Sequence, residues 1–455
     1  MLKEVSKSLI IIAVLFSFLS SLRIISFLPE FQFLLVILWT IKNKGINFHV
    51  LILITIILCS HHYAVPDAVF REDSGGYPSI YTKALGPIKI LDLFVLFLFI
   101  MSLNKIPNLI KIIQIRSLPV ILLFTSLFGL LFYFRLHLVD NTILYLIRSY
   151  LLIFFIFINC INLKKEHVAK LAILAIIAWT SKMFFAILFP HPHPWYRTIL
   201  GYDGIMYFAG DEYMYIPIYL SIIIYTFKEQ LNFKSVRNVI LIVLLLALIA
   251  QRKGSINILI PFLLMIYFYY RGNSFFTYIL KIYYIFSTLV IFIFLLYEDI
   301  LINNQLINLA FLEYHLLAQS SLDSIINFLQ GPFWHSIWGI SPIGKIEIIN
   351  LPKYVDGFMA FGEEVGERFR YQLWSFPYGR CILNAGIFGV IVYFLYYIKN
   401  IKCSAPTFYI IISTFPFCIY ANITPVFALS LGLALAFLYL NQESEHENDQ
   451  LQLSL

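Results

Sequence analysis

Long apolar runs separated by short polar connectors make up most of the chain. Roughly fourteen of these runs approach the length of about 20 residues that a helix needs to cross a hydrocarbon layer of about 30 Å. In chain order they are Ser8–Leu22, Ile24–Ile41, Ile46–Ser60, Ile88–Leu103, Leu118–Phe134, Thr142–Ile161, Val168–Phe189, Met214–Phe227, Asn238–Ala250, Ser255–Tyr270, Phe276–Tyr297, Gly379–Ile398, Thr407–Tyr420 and Thr424–Leu440. The pattern predicts an all-α, polytopic membrane protein with about 12–14 transmembrane helices.

The first two runs are the hardest to separate, because Arg23, Pro29 and Glu30 interrupt them. Two arrangements fit: two spans, or one long span, which would reverse the orientation of the N-terminus. The beginning of the chain resembles a signal peptide, with Lys3 and Lys7 ahead of an apolar run, but no small-residue cleavage site precedes Arg23. We expect an uncleaved first anchor.

One long polar interval, Asp299–Tyr378, interrupts the apolar pattern. We therefore divide the chain into membrane helices with short connectors (1–298), a large outer loop (299–378), C-terminal membrane helices (379–440) and an acidic cytoplasmic tail (441–455). Hydrophobic residues make up 60% and charged residues 13% of the chain, against roughly 45–50% and about 25% in soluble domains. This composition indicates an integral membrane protein, and we expect no nucleic-acid partner.

The net charge of +7 can be interpreted only after the basic residues have been assigned to one side of the membrane or the other. With a cytoplasmic N-terminus, every inner connector carries Lys or Arg, as the positive-inside bias requires. These bases are Lys42, Lys44, Lys105, Lys111, Arg116, Lys164, Lys165, Lys228, Lys234, Arg237, Arg271, Lys399 and Lys402. The connectors rich in polar and aromatic residues then all fall on the outer side.

Cysteine and histidine spacing gives no metal motif. The five cysteines lie in or at the ends of apolar runs and are expected to be small core residues without a disulfide framework: Cys59, Cys160, Cys381, Cys403 and Cys418. His191 and His193 flank a proline, which is more typical of a plain loop than of a metal site. No metal or cofactor is expected.

Arg252 and Lys253 form the most informative charged pair. They lie in the short connector Gln251–Gly254, on the outer side, where the insertion bias disfavours positive charge. A guanidinium presents a fixed fork of donors that suits phosphate oxygens. The pair therefore indicates a functional site, with a base that reaches to lipid headgroups as the alternative.

A second outer connector, Pro190–Tyr213, contains Arg197, Asp211 and Glu212. The two carboxylates could bind a sugar hydroxyl or orient Arg197. An ordinary polar loop explains them nearly as well.

In the large loop, apolar residues in Ser321–Gln330 recur on one helical face, and Gly331 is a suitable C-cap. Leu301–Leu317 has a similar pattern. The pattern predicts two short surface helices, followed after Gly331 by an irregular segment rich in aromatic residues, which include Trp334, Trp338, Tyr371 and Trp374.

Candidate acids and bases lie in the same loop. Glu363 and His335 could accept the proton of an attacking sugar hydroxyl. Arg368 and Arg370 could bind an anionic substrate. A solvated, salt-bridged helix face over residues 363–370 fits equally well.

Some charges lie inside or at the ends of apolar runs, namely Arg23, Arg148 and Lys182. Such charges face a cavity or a partner and avoid lipid. For Arg148, pairing with Asp92 is the main structural alternative.

Three segments share a layout with a known family. Arg197, Gly201, Gly204 and the stretch Gly210-Asp-Glu precede an apolar run. Leu248-Ile-Ala-Gln-Arg252-Lys-Gly254-Ser ends one run and begins the next. Ser375-Phe-Pro-Tyr-Gly-Arg-Cys-Ile-Leu383-Asn-Ala-Gly386-Ile-Phe-Gly389 closes the large loop. This layout resembles the O-antigen polymerase and O-antigen ligase family of bacterial envelopes. Ser375 and Phe376 stand where the ligases have His and Asn, so polymerase is favoured.

The resemblance implies a GT-C-like fold in the bacterial inner membrane and transfer of a glycan from undecaprenyl-pyrophosphate to a sugar hydroxyl on the periplasmic side. Arg252, helped by Arg197 or Lys253, would stabilise the departing diphosphate without a metal. Aromatic rings such as Trp334 and Trp374 would contact sugar faces. Expected partners are the lipid-linked oligosaccharide and membrane lipid, with a chain-length regulator and a flippase as further candidates.

Three other functions compete with a polymerase. A ligase that transfers glycan to lipid A-core differs only in its acceptor. A flippase or other transporter would show paired halves with broken helices near the midplane, whereas the polar residues here collect at one face. A glycosyltransferase that uses polyprenyl-phosphate sugars is supported only by Glu72 and Asp73 in the first outer loop.

Overall fold

The computed structural model describes residues 5–22, 25–43, 47–61, 79–81, 83–85, 88–105, 142–189, 196–199, 202–205, 215–249, 253–296, 326–339, 346–347, 369–370, 386–388, 391, 394–413 and 425–453. Most of these residues are helical, which confirms the helical fold class. The helices are α1 (Lys7–Leu22), α2 (Leu28–Lys42), α3 (Asn47–Ser60), α4 (Ile90–Ser102), α5 (Thr142–Cys160), α6 (Lys165–Leu188), α7 (Ile216–Thr226), α8 (Phe233–Ile249), α9 (Lys253–Tyr270), α10 (Ser274–Leu296), α11 (Phe333–Trp338), α12 (Ala405–Ser413) and α13 (Pro425–Leu453).

Helix α6 lies at the centre of the described bundle. It contacts α1, α3, α7, α8 and α13. Fully buried alanines recur along it at Ala169, Ala172, Ala175 and Ala178, and small side chains let neighbouring helices approach closely. Helix α5 packs between α4 and α13, and α9 packs between α8 and α10.

Of the described helices, the segment Lys165–Phe185 of α6 has the length and apolar composition needed to cross a membrane. Shorter apolar segments of 10–17 residues occur in α1, α3, α4, α5, α7, α9 and α13.

The first two apolar runs form separate helices, α1 and α2. The His61 ring contacts both Ser20, near the end of α1, and Gln32, near the start of α2. In one continuous helix these two residues would be about 18 Å apart at 1.5 Å per residue. Ser20 and Gln32 therefore do not belong to one continuous helix, and the alternative of one long helical span is wrong.

Within the described residues, the connectors contain short antiparallel strand pairs that the sequence analysis did not predict. Ala84–Leu85 pairs with Ile88–Lys89, and Tyr196–Ile199 pairs with Tyr202–Ile205. Ile346–Glu347 pairs with Phe369–Arg370 and so closes a long segment of the large loop on itself.

The large loop also contains more helix than expected. Residues 326–330 are helical and end at Gly331, as predicted, whereas Leu301–Leu317 lies outside the described residues. The segment after Gly331 was expected to be irregular but forms α11. Pro332 starts this helix, and its carbonyl accepts a hydrogen bond from Ser336 N at 3.4 Å.

The bundle has a large apolar core, and it also exposes stripes of apolar side chains and buries several polar ones. Exposed large hydrophobic residues recur at helical spacing along α2, at Phe31, Leu34, Leu38 and Ile41, with Phe27 just before it. They recur again among the described helical residues 386–388, 391 and 394–400, at Ile387, Ile391, Leu395 and Ile398. Fully buried polar residues include Gln32, His61, Asn159 and Lys182. Exposed apolar stripes and a fully buried lysine are both uncommon in soluble bundles.

Candidate functional site

The described residues cover part of the candidate site. Arg252, Asp211, Glu363, Arg368 and Trp374 lie outside them. For four other candidates the structure gives the backbone: Arg197 pairs with Gly204 in the second hairpin, Lys253 begins α9, His335 lies in α11, and Arg370 pairs with Ile346.

Helix α11 brings aromatic side chains together in the large loop. The exposed fractions of Phe333, Trp334 and Trp338 are 69%, 67% and 47%. The rings of Phe333 and Trp334 meet edge to face, with centroids 5.8 Å apart. His335 shares this helix, so the structure joins two of the sequence candidates, His335 and Trp334, in one element.

Helix α11 is fixed against the helical stretch that begins at Gly386. Gly386 has φ +68°, and a Cβ there would overlap the carbonyl of Ile337. The ring of Trp338 contacts that of Phe388, with centroids 5.2 Å apart. Ser336 Oγ donates to the Leu329 carbonyl at 3.0 Å, which ties α11 to the preceding helical turn. The glycine in the closing segment of the large loop thus has a structural role.

A buried polar cluster joins the ends of α1, α2, α3 and α6, and the sequence analysis missed most of it. His61 Nδ1 accepts from Ser20 Oγ at 3.2 Å, and His61 Nε2 donates to Gln32 Oε1 at 2.5 Å. Lys182 Nζ donates to the His61 carbonyl at 3.2 Å. Burial, followed by the Lys182 charge, lowers the pKa of His61 to about 3, so the imidazole is neutral. The sequence analysis identified Lys182 as a charge inside an apolar run, and Gln32, a polar residue inside another apolar run, was a second signal that it did not use.

Ion pairs flank this cluster. Arg148 Nη1 lies 3.0 Å from Asp92 Oδ1, and Asp92 Oδ2 also accepts from the Lys89 backbone. The structural alternative for Arg148 is therefore confirmed. Lys83 pairs with Glu30 at 3.4 Å.

A second set of polar contacts lies at the opposite ends of the helices. Asn159 donates to the Leu98 carbonyl and to Ser102 Oγ, and it accepts from Lys105 Nζ at 2.9 Å. Asn441 accepts from Lys165 and Tyr225. Lys281 Nζ donates to the carbonyls of Ile401 and Cys403.

Within the described residues, no group of three His, Cys, Asp or Glu side chains could hold a metal ion. Cys59, Cys160 and Cys403 form no disulfide bond. His191 and His193 lie outside the described residues. Comparison with family models, with curated proteins and with solved structures finds no match for this chain.

Proposed function

We propose that this chain is a polytopic protein of the bacterial inner membrane that polymerises repeat units of a surface polysaccharide, such as O-antigen, capsule or exopolysaccharide. It transfers the growing glycan from undecaprenyl-pyrophosphate to a sugar hydroxyl on the periplasmic side. The main support from the structure is the exposed aromatic helix α11 in the large outer loop, fixed against the start of the C-terminal helices.

The distribution of side chains supports the membrane placement. Apolar stripes face outward on α2 and on 387–398, while charged and amide side chains are buried. In a bilayer, outward apolar stripes meet acyl chains, and polar groups avoid lipid by pairing inside the bundle.

The contacts between helices also fit the sidedness inferred from the sequence. The cluster at His61 and the pairs Arg148–Asp92 and Lys83–Glu30 join residues that the charge bias assigns to the outer ends. The contacts of Asn159, Asn441 and Lys281 join residues assigned to the inner ends. Each of these contacts links two positions assigned to the same side.

The proposed chemistry uses outer residues only. A base, Glu363 or His335, takes the proton of the acceptor hydroxyl as its oxygen bonds to the anomeric carbon. The bond from that carbon to the diphosphate breaks, and its electron pair leaves with the diphosphate. Arg252 stabilises the charge that develops there, with Lys253 and Arg197 beside it.

The remaining candidates bind the glycan and its anionic groups. Asp211 would bind sugar hydroxyls, and Arg368 and Arg370 would bind anionic groups of the substrate. Trp334 and Trp374 offer flat apolar faces to sugar rings. The partners are the lipid-linked oligosaccharide and membrane lipid, with a chain-length regulator and a flippase acting on the same pool.

Replacing Arg252 tests the proposal. In cells that carry Arg252→Ala, we expect long surface polysaccharide to disappear and single repeat units to remain on their acceptor, because the leaving diphosphate loses its cation. Gel analysis of the surface polysaccharide measures this.

Arg271→Ala is the matched control. Arg252 directly precedes α9 in the sequence, whereas Arg271 directly follows α9, at the end assigned to the inner side, and contacts the Tyr267 ring. It should keep the wild-type chain length at equal membrane expression. Wild-type chains in the Arg252→Ala cells would overturn the role of Arg252.

A further inference from the structure

Helix α11 presents a surface that the described part of the protein leaves uncovered. Phe333 and Trp334 are the most exposed of its rings, and Trp338 is about half exposed. Ser336, in contrast, is buried and bonded to the Leu329 carbonyl. The short helix therefore keeps its hydroxyl against the protein and turns large rings outward.

The position of this surface is fixed by backbone contact. Gly386 lies against the Ile337 carbonyl so closely that a side chain would not fit. Trp338 packs on Phe388 at 5.2 Å. Movement of α11 away from the helical stretch after 386 would break both contacts.

The exposed rings of α11 continue into an apolar stripe on that neighbouring stretch. Ile387, Ile391, Leu395 and Ile398 are all exposed and recur at helical spacing. Helix α11 lies at the outer end of the stripe, next to Phe388.

From this continuity we infer that α11 lies in the headgroup layer of the outer leaflet, with the rings of Phe333 and Trp334 in contact with lipid. The inference rests on the membrane placement in the proposed function. The stripe below α11 would meet acyl chains, and tryptophan rings favour the depth at which an apolar layer gives way to water. The helix has six residues, too few to cross the bilayer.

This position adds a role to the proposed reaction. The diphosphate of a polyprenyl carrier lies at headgroup depth, because its tail is apolar and its head is charged. A helix embedded at that depth holds Trp334 and His335 level with the first sugars of the carrier. The large loop is then anchored in the leaflet from which its substrate arrives.

Tryptophan quenching in nanodiscs tests this placement with the full-length protein. The fluorescence of Trp334 is obtained as the difference between wild type and Trp334→Phe. We expect lipids brominated close to the headgroup to remove most of this difference signal, lipids brominated deep in the chain to remove less, and aqueous iodide to remove little.

Trp179 supplies the control, because it is 1% exposed inside the bundle. The signal lost in Trp179→Phe should respond to neither quencher. Strong quenching of Trp334 by iodide, without quenching by bromolipid, would place α11 in water and overturn the inference. Quenching by neither reagent would mean that protein covers the helix, and would overturn it equally.

The same measurement on Trp39→Phe separates this inference from the proposed function. Trp39 is half-buried on α2, beside the exposed apolar residue Leu38. If bromolipid quenches Trp39 but not Trp334, the bundle lies in the bilayer and only the position of α11 is wrong. If it quenches neither, the membrane placement itself fails.

Discussion

Lys182 lies in α6 and His61 directly follows α3, far away in the sequence, and the structure joins them through the backbone carbonyl of His61. The sequence identified Lys182 as a charge inside an apolar run that needs a partner. It did not identify the partner, because every residue carries a carbonyl and no pattern marks the one that is used. Arg148 differs in this respect. Its partner, Asp92, is another charged residue that the charge bias assigns to the same end of the bundle, so the pair was among the alternatives.

His61 should make the stability of the protein depend on pH. Its pKa in the fold is about 3, lowered mainly by burial, against about 6.5 in an unfolded chain. The unfolded chain therefore binds a proton that the folded chain rejects, and stability falls as the pH drops from about 6.5 toward 3. Thermal unfolding of the purified protein at pH 7 and pH 5 measures the loss.

His61→Gln is the comparison, since glutamine keeps a donor and an acceptor but does not titrate. The variant should lose less stability than the wild type between the two pH values. Equal losses in the two proteins would assign the pH dependence to other groups.

At the scale of elements, hydrophobic run length predicted the helices well and the connectors poorly. The predicted helix Thr142–Ile161 corresponds to α5, which ends one residue earlier, at Cys160. The predicted helix Phe276–Tyr297 corresponds to α10, which extends from Ser274 to Leu296. The acidic tail, expected to be a solvated end, continues α13 as a helix to Leu453, in keeping with the helix propensity of its Glu, Gln and Leu residues. Hairpins and α11 depend on local turns and on packing across the loop, which periodicity does not report.

The contact of α11 with its neighbouring helix depends on Gly386. Replacing Gly386 with Ala should detach α11, because the new Cβ would collide with the Ile337 carbonyl and a left-handed backbone adds about 1–2 kcal/mol. We expect a lower unfolding temperature and faster proteolysis of the large loop after Gly339.

Gly272→Ala is a closely matched control. Gly272 has the same φ of +68°, but nothing lies within 4 Å of its Cβ position. This variant should lose only the stability that a left-handed backbone costs a residue with a side chain, and proteolysis of the large loop should be unchanged. If the two variants behaved alike, steric contact with α11 would have no part in the effect.

For the whole molecule, the two sets of polar contacts lie at opposite ends of the bundle. The bases of the short connectors predict which end is the outer one and which the inner one, and this division remains a prediction. The candidate transferase site is harder to predict from the sequence, since its residues come from three connectors whose relative positions no local pattern specifies. For the large loop, the described residues show that α11 contacts Gly386 and Phe388.

Two exposed glutamines test the division. Gln230 follows α7 in a connector that the charge bias assigns to the inner side, and Gln330 precedes α11 in the loop assigned to the outer side. In a background without reactive native cysteines, Gln330→Cys should react with an impermeant maleimide in cells whose outer membrane has been opened, whereas Gln230→Cys should react only after the inner membrane is permeabilised.

Reaction of both residues before permeabilisation, or of Gln230→Cys alone, would contradict the assigned sides. The background protein without either new cysteine gives the level of unspecific labelling.

The lengths of the first helices have a mechanical consequence for the surrounding lipid. Helices α1 to α4 contain 16, 15, 14 and 13 residues, or about 20–24 Å at 1.5 Å per residue. Helix α6 has 24 residues, about 36 Å. In the proposed membrane placement, a hydrocarbon layer of about 30 Å would have to thin beside these short helices, at a cost of a fraction of a kcal/mol per Å. Under the proposed function, such thinning would draw lipid headgroups toward the midplane and give a long isoprenoid carrier a preferred side of approach.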